Sequence, residues 1–298
     1  MTTHHLVITA DDLGYSKERN EGIMTCFKAT SVTRASLMVN AAAAEHAVSL
    51  AKACQMPIGL HLNLSEGSPV SAICAIPTLV TNAGFMHSKM DIRKHNTEGQ
   101  IDYKQVQTEI EAQIGKFKEL TGRLPPYVDG HQHVHILPGI RDIFAETLEK
   151  NGIEETRLPV DERVPLWSWL SEDSRSFYQG VVQDAQESRL VFKKHSIRFP
   201  DGFVGMGCSG ANMSFERLEE MICERFKELK PHIGGLTVEL MVHPGYPTAP
   251  DSGGCGQGPD LFAQSKDRQH ELDILVSEKF INFCNDYNKV CKVGKMCT

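Results

Sequence analysis

Short apolar segments alternate with longer amphipathic segments along the chain. Runs of β-branched and other apolar residues predict buried strands, and apolar residues spaced three or four apart predict helices. The predicted extended segments cover residues 5–10, 32–40, 57–63, 127–131, 155–159, 197–204, 235–242 and 290–293. The predicted helices cover residues 18–29 with Ser16 as N-cap, 41–53, 103–121, 138–151, 174–194, 214–229 and one long helix within 260–287.

Strands and helices alternate without a linker, a repeat or a change in composition. This order predicts parallel strands joined by right-handed crossovers, and hence an α/β fold. The chain has 298 residues, enough for a full core, and we expect residues 1–298 to form a single domain. The pattern alone leaves open whether the sheet is doubly wound or a (β/α) barrel.

Two segments have notable compositions. Residues 65–102 are irregular and rich in glycine, proline, serine and other polar residues, and connections of such length usually carry function or cover a site. Residues 160–205 contain Trp167 and Trp169, which are the two tryptophans of the chain. We expect both segments to shape the specificity of a binding site.

Composition and charge argue against several classes of function. The formal net charge of −7 is unlike the basic surface that binds nucleic acid. No stretch is long and apolar enough for a transmembrane helix, and the first residues lack the features of a signal peptide. The nine cysteines contain no C-x-x-C pair, which favours reduced thiols. We therefore expect a cytoplasmic protein without nucleic-acid or membrane partners, and a homodimer is compatible with the sequence.

Residues that can bind a metal or transfer a proton lie where predicted strands end. Parallel strands of one sheet end at the same edge, so residues that are distant in sequence can meet in one pocket there. They are Asp11 and Asp12 after the first strand, His61 and Asn63 in the third, His131 at the end of the fourth, and His243 after residues 235–242.

The densest cluster of such residues is 128–135 (VDGHQHVH). If this segment is extended, Asp129, His131, His133 and His135 share one face. If it is helical, His131 and His135 form a pair on one helix face. Both geometries bring imidazole nitrogens together and favour a metal or catalytic site over a surface turn with incidental histidines.

One aspartate with His61 and His131 would form a set of three ligands that leaves coordination positions open for water. Two imidazoles and one carboxylate favour Zn²⁺, Co²⁺, Mn²⁺ or Fe²⁺, because Mg²⁺ prefers oxygen ligands. The other aspartate could then act as a general base, and an imidazolium at His243 could protonate a leaving amine. Each residue also has a structural interpretation, since Asp11 or Asp12 can cap the next helix, His61 can be a core histidine, and His243 can cap a turn.

Four blocks of sequence, in this order, resemble the signature blocks of YdjC-type carbohydrate deacetylases. They are residues 9–15 (TADDLGY), 59–63 (GLHLN), 129–135 (DGHQHVH) and 239–245 (ELMVHPG). Residues 64–67 (LSEG), 138–139 and 253–256 (GGCG) resemble the vertebrate YdjC homologues in particular. The resemblance covers essentially the whole chain.

The resemblance implies a distorted (β/α) barrel of the glycoside hydrolase and deacetylase type. The alternation along the chain gives six to seven strand-helix units, and we expect about seven parallel strands. The resemblance also implies metal-dependent hydrolysis of an acetyl group from an acetylated sugar or oligosaccharide, with an N-acetyl amide as the expected bond. By matching positions, Asp11 would accept the proton, Asp12, His61 and His131 would bind one divalent metal ion, and His243 would be the acid. The metal usually assigned to the family is Mg²⁺, whereas the two imidazoles suit Zn²⁺ or another transition metal.

Two other functions fit the same residues. A metal-dependent isomerase or phosphodiesterase could use a similar barrel and a similar metal site. A sugar-binding protein with little or no catalytic activity could keep the pocket. The second, unbound aspartate favours the hydrolase, because binding alone does not require a general base.

Overall fold

The computed structural model describes the backbone of residues 4–290 and the side chains of residues 4–285. Its strands are β1 (His4–Leu13), β2 (Arg34–Leu37), β3 (Ile58–Leu62), β4 (Val128–Gly130), β5 (Gly202–Val204) and β6 (Leu236–Val242). They form one sheet in the order β4-β3-β2-β1-β6-β5. All neighbours pair in parallel, so the carboxyl ends of the strands share one edge of the sheet.

Helices connect and cover the strands. Those in the described residues are α1 (Lys17–Lys28), α2 (Ala44–Cys54), α3 (Lys89–Thr97), α4 (Tyr103–Thr121), α5 (Ile140–Lys150), α6 (Glu172–Lys194), α7 (Phe215–Glu228), α8 (Leu261–Gln264), α9 (Asp267–Leu275) and α10 (Glu278–Val290). Among these described helices, none combines the length and the apolar character needed to cross a bilayer.

The sheet curls into a half-barrel. Beyond β4, single parallel bridges join Val128 to Thr156 and Glu155 to Arg198. Arg198 lies shortly before β5, which forms the opposite edge of the sheet. The α/β class and the parallel arrangement are thus confirmed. The prediction of about seven strands is not met, because the described residues contain six paired strands that do not close a barrel.

The strand pairing that a closed barrel would need is lacking in the predicted extended segments 155–159 and 197–204. Pro159 and Pro200 have no amide N–H to donate to a neighbouring strand. Residues 155, 156 and 198 therefore make only isolated bridges, and β5 begins at Gly202. The strand predicted at 290–293 starts at the last residue of α10, and residues 291–293 lie outside the described part of the chain.

β1 and β6 form the centre of the core and pair along the whole of β6. Every residue of β6 is buried, and so is every residue of β1 after His4. Strands that are covered on both faces need near-continuous apolar sequences, and for this reason the sequence predicts both strands. Asp11 and Asp12 lie near the carboxyl end of β1, and His243 directly follows β6.

The helices beside the core begin where their sequences predict. Ser16 is the N-cap of α1, and its hydroxyl accepts a hydrogen bond from the Arg19 amide at 3.1 Å. Asp102 and Ser214 cap α4 and α7 in the same way. These side chains satisfy amide groups that lack partners in the first turn of a helix.

Two helical regions differ from the prediction. Residues 65–102 contain α3, which is mostly polar and buries only Ile92 and Asn96, so it has no apolar periodicity to detect. The single long helix expected within 260–287 is divided into α8, α9 and α10. The break between α8 and α9 lies at Ser265, which has an extended backbone, and a second break separates Leu275 from Glu278.

A matched pair of helical glycines tests how closely α1 packs beside the carboxyl end of β6. A Cβ at Gly22 would overlap the Cα of Gly245, whereas a Cβ at Gly115 in α4 meets no atom within 4 Å. We expect Gly22→Ala to lower the free energy of unfolding by about 1–3 kcal/mol, because the backbone there cannot give way. Gly115→Ala should raise it by about 0.5–1 kcal/mol through helix propensity. Urea unfolding of both variants measures the difference, and equal effects would contradict the packing described here.

Candidate metal and active site

The end of β1 directs two adjacent carboxylates into one cavity. The register between β1 and β2 is irregular between Ala10 and Leu13, and Asp12 has a left-handed backbone with φ of 61°. A bulge of this kind changes the direction of the side chains that follow it. As a result, Asp11 and Asp12 both approach Nε2 of His61, at 3.9 Å and 3.4 Å.

Asp12, His61 and His131 come together from the ends of β1, β3 and β4, as predicted. The Asp12 Oδ1 atom lies 3.4 Å from His61 Nε2 and 3.1 Å from His131 Nδ1. One ligand atom of each residue lies within 4.8 Å of the other two, and all three residues are buried. Two nitrogens and one carboxylate oxygen around one point are a suitable donor set for a divalent cation.

The second ring nitrogen of each histidine contacts a carboxylate. His61 Nδ1 donates to Asp129 Oδ1 at 2.6 Å, and the Ser36 hydroxyl donates to the other oxygen of Asp129. His131 Nε2 donates to Glu66 Oε2 at 2.9 Å. Metal-binding histidines usually have this arrangement, because it fixes the ring and directs the free nitrogen towards the ion. The sequence marked Asp129 as part of the cluster but gave no role to Glu66.

The carboxylates change the pKa of the residues that would bind the ion. Burial alone lowers the pKa of His61, but Asp11 and Asp129 outweigh burial and raise it to about 10. Burial also lowers the pKa of His131, but its hydrogen bonds with Asp12 and Glu66 outweigh burial and raise that pKa to about 9. The cluster therefore attracts positive charge, which a divalent cation can supply in place of protons.

The segment that follows β4 adopts neither of the two predicted geometries. Residues 131–136 form a 3₁₀ turn in which Gln132 and His133 have left-handed backbones, with φ of 52° and 59°. His131 therefore lies with Asp12 and His61 in the candidate metal group, whereas His135 is buried between the rings of Phe144 and Phe192. The expected cluster of three imidazoles does not form, and His131 is its one member in the candidate metal group.

Arg157 is a central residue of the site that the sequence did not reveal. Its guanidinium donates to both oxygens of Asp11, at 2.6 Å and 2.7 Å. It also lies 3.2 Å from Asp129 and 3.1 Å from Glu239. Burial raises the pKa of Asp11 to about 6, although Arg157 opposes this rise. The sequence does contain one indication of this role, because Arg157 lies inside a predicted strand. Burying a charged side chain is unfavourable unless an opposite charge lies beside it.

His243 lies beside Asp11, as expected for residues at neighbouring strand ends. Its Nε2 is 3.9 Å from Asp11 Oδ2. The backbone carbonyl of His243 accepts hydrogen bonds from Arg19 and Arg268, and its amide donates to Glu271. Burial, together with the charges of Arg268 and Arg19, holds the pKa of His243 well below its usual value, although Asp12 opposes this shift. The imidazole is therefore neutral here, and the imidazolium expected from the sequence is not favoured.

All five predicted site residues line one cavity of about 320 Å³. Asn63, the other polar residue noted in β3, is buried instead against Gln113, whose side chain bonds with the Asn63 backbone. The remaining wall includes His133, Phe177, Tyr178 and Phe262. A cavity lined by both polar residues and aromatic rings is typical of a small-molecule site.

A family model described as "YdjC-like protein" matches residues 5–286. The chain belongs to the YdjC-like protein family. A carbohydrate deacetylase from Xenopus laevis is 45% identical over 286 residues, which cover 93% of each chain. A chitooligosaccharide deacetylase from Serratia marcescens is 32% identical over 149 residues, covering 50% of this chain and 57% of its own.

A solved structure supports the fold. The crystal structure of a candidate cellobiose-phosphate cleavage protein from Enterococcus faecalis V583 superposes with a TM-score of 0.71 and covers 99% of this chain and 98% of its own. The two sequences are 20% identical, so this likeness concerns the fold alone. The family expected from the four sequence blocks is confirmed.

Removing one negative charge beside His61 tests the role of Asp129. We expect Asp129→Asn to weaken binding of a divalent cation by about 10- to 100-fold, because the amide no longer orients His61 as a carboxylate does. Calorimetric titration of the metal-free protein with Zn²⁺ or Mn²⁺ measures this effect. Asp142→Asn, on the exposed side of α5, serves as the control. Unchanged affinity in Asp129→Asn would contradict this role of Asp129.

Proposed function

We propose that this YdjC-like protein hydrolyses the acetyl group from an acetylated carbohydrate, with the N-acetyl amide of an amino sugar as the bond that is cleaved. The deacetylase relatives support the reaction and the class of substrate. The chitooligosaccharide deacetylase favours an amide over an ester, since its named substrate class carries N-acetyl groups.

One observation carries the proposal furthest. A set of three potential metal ligands, Asp12, His61 and His131, lies beside a carboxylate that does not belong to the set. Binding a sugar would require neither a metal group nor a neighbouring base, whereas hydrolysis uses both. This combination also favours the hydrolase over a sugar-binding protein.

Asp12, His61 and His131 would hold the ion. When bound, a divalent cation lowers the pKa of coordinated water and polarises a carbonyl group. The family resemblance suggests Mg²⁺, but two nitrogen ligands favour Zn²⁺, Mn²⁺ or Co²⁺. Asp129 and Glu66 hold the two imidazoles so that the nitrogens facing Asp12 are directed into the cavity.

Asp11 is the proposed general base. Arg157 donates one hydrogen bond to each of its oxygens, which fixes the carboxylate plane and leaves further lone pairs free. The Oδ2 atom faces the gap between His61 and His243. Asp11 can therefore take a proton from water that attacks the acetyl carbon.

The leaving amine must receive a proton before the sugar is released. His243 is the proposed donor, because it lies 3.9 Å from Asp11 and lines the same cavity. Its imidazole is neutral before the reaction, so it must first gain the proton that Asp11 removes. Water in the cavity provides an alternative route to the amine.

Replacing the base tests the assignment. Asp11→Asn should lower kcat for acetate release by roughly 100- to 10,000-fold, because the amide cannot accept the proton. Metal affinity should remain close to that of the unaltered protein, since Asp12, His61 and His131 are unchanged. Acetate release and metal titration are measured on the same preparation. Near-normal turnover in Asp11→Asn would reject this role.

Metal removal tests the reaction class. The protein treated with a chelator should release no acetate from N-acetylated sugars, and adding back one divalent cation should restore release. Elemental analysis of the purified protein identifies the bound metal. The same sugars are analysed for isomerised products, and phosphodiesters are tested for cleavage. Isomerisation or phosphodiester cleavage without acetate release would contradict the proposed reaction.

A further inference from the structure

Charged side chains bind both backbone polar groups of His243, the proposed proton donor. The His243 amide donates to Glu271 Oε2 at 2.6 Å. Its carbonyl accepts from Arg19 at 3.0 Å and from Arg268 at 3.3 Å. These three side chains come from α1 and α9, and each is at most 1% exposed. Hydrogen bonds to charged groups are stronger than those between neutral groups, so the backbone at His243 is held firmly.

Glu271 joins His243 to a second segment of the cavity wall. Its other oxygen, Oε1, accepts the Gly210 amide at 2.6 Å and lies 3.2 Å from the Arg268 guanidinium. Gly210 follows Ser209, which lines the cavity together with His243. One carboxylate therefore binds both the end of β6 and the loop that contains Ser209, and each of its oxygens accepts one backbone N–H group.

The imidazole of His243 has no comparable anchor. Within the part of the chain that the structure describes, neither ring nitrogen makes a hydrogen bond. Nδ1 is buried without a partner, and Nε2 is 3.9 Å from Asp11 Oδ2. The ring meets Phe262 edge to face, with 5.4 Å between the ring centres. A catalytic histidine is usually oriented by a hydrogen bond from its second ring nitrogen. Here the backbone of His243 must determine where the imidazole lies.

We propose that Glu271 is a positioning residue for the hydrolysis, which holds His243 where its imidazole can receive the proton from Asp11 and pass it to the leaving amine. The inference rests on the proposed function, because Glu271 would act through the proton donor named there. A displacement of about 1 Å at a reacting group can lower a rate by roughly 100-fold. Glu271 can therefore affect turnover although it is not among the residues that line the cavity.

A glutamine cannot replace Glu271 in this arrangement. The backbone N–H groups of Gly210 and His243 point at different carboxylate oxygens. The side-chain amide of glutamine has one oxygen and one NH₂ group, so one backbone N–H would face another donor. Arg268 and Gly210 both lie at Oε1, which favours the glutamine oxygen at that position. The NH₂ group would then oppose the amide of His243 and displace it.

Glu109 provides a matched control. It is also a fully buried glutamate, and its two oxygens accept the backbone amides of Val70 and Ser71, both at 2.9 Å. It lies in α4 and is not among the residues that line the cavity. Glu109→Gln creates the same conflict between donors in a segment that does not bind His243. It therefore measures the general effect of losing such a carboxylate.

The experiment compares acetate release by the unaltered protein, Glu271→Gln and Glu109→Gln, with N-acetylglucosamine and N,N′-diacetylchitobiose as substrates. We expect Glu271→Gln to lower kcat by roughly 10- to 100-fold and to leave KM and metal affinity within about 2-fold. Glu109→Gln should retain all three quantities, although urea unfolding should show a similar loss of stability in both variants. A similar fall of kcat in Glu109→Gln would overturn the inference.

A double-mutant cycle tests whether Glu271 acts through His243. In the His243→Asn background, the further change Glu271→Gln should lower kcat by less than about 2-fold, because the group that Glu271 positions is gone. If kcat falls there by the same factor as in the unaltered background, Glu271 acts in another way and the inference is wrong.

Nuclear magnetic resonance of the histidine side chains in the metal-free protein measures the position of His243 without turnover. The variant His243→Asn identifies the imidazole signal, which should shift in Glu271→Gln and stay in place in Glu109→Gln. A protein that shows this shift but releases no acetate would contradict the hydrolase and support the contact between Glu271 and His243 as the one that positions the ring. An unchanged signal in Glu271→Gln would reject that positioning, even where acetate is released.

Discussion

A buried guanidinium links three carboxylates at the centre of this site. Arg157 is 1% exposed and contacts the carboxylates of Asp11, Asp129 and Glu239. Removing one member of such a group leaves a buried charge without compensation, which is strongly unfavourable. The bridge-forming segment at 155–156 leads directly into Arg157, so it helps the strands hold several acidic side chains close together.

This shared guanidinium connects the two halves of the proposed chemistry. Asp11 is the proposed base, and Asp129 orients His61 towards the metal group. Because both carboxylates contact Arg157, a displacement of the guanidinium would move the proposed base and His61, a potential metal ligand, together. Rigid strands and short hydrogen bonds keep the distance between Asp11 and His61 fixed, as catalytic geometry requires.

The sequence predicted those parts of the structure that depend on local pattern. Periodic apolar residues located β1, β6 and most helices, and the shared edge of a parallel sheet explained why Asp12, His61 and His131 would meet. Contacts between distant segments gave no such signal. The pairing of Arg157 with Asp11 spans the sheet, and Glu66 comes from a segment with no recognisable pattern. The left-handed backbone after His131 was also missed, because local preference disfavours it in residues other than glycine.

The left-handed backbone at Asp12 restricts which amino acids fit this position, in addition to the chemistry of its side chain. Aspartate and asparagine tolerate this conformation better than most residues with a side chain, and glycine tolerates it without cost. Glutamate would keep the charge, but it fits this backbone less readily and places its carboxylate one carbon farther from the main chain. Glycine would keep the shape and lose the ligand. Aspartate satisfies both demands, because this backbone tolerates it and its carboxylate can bind a cation.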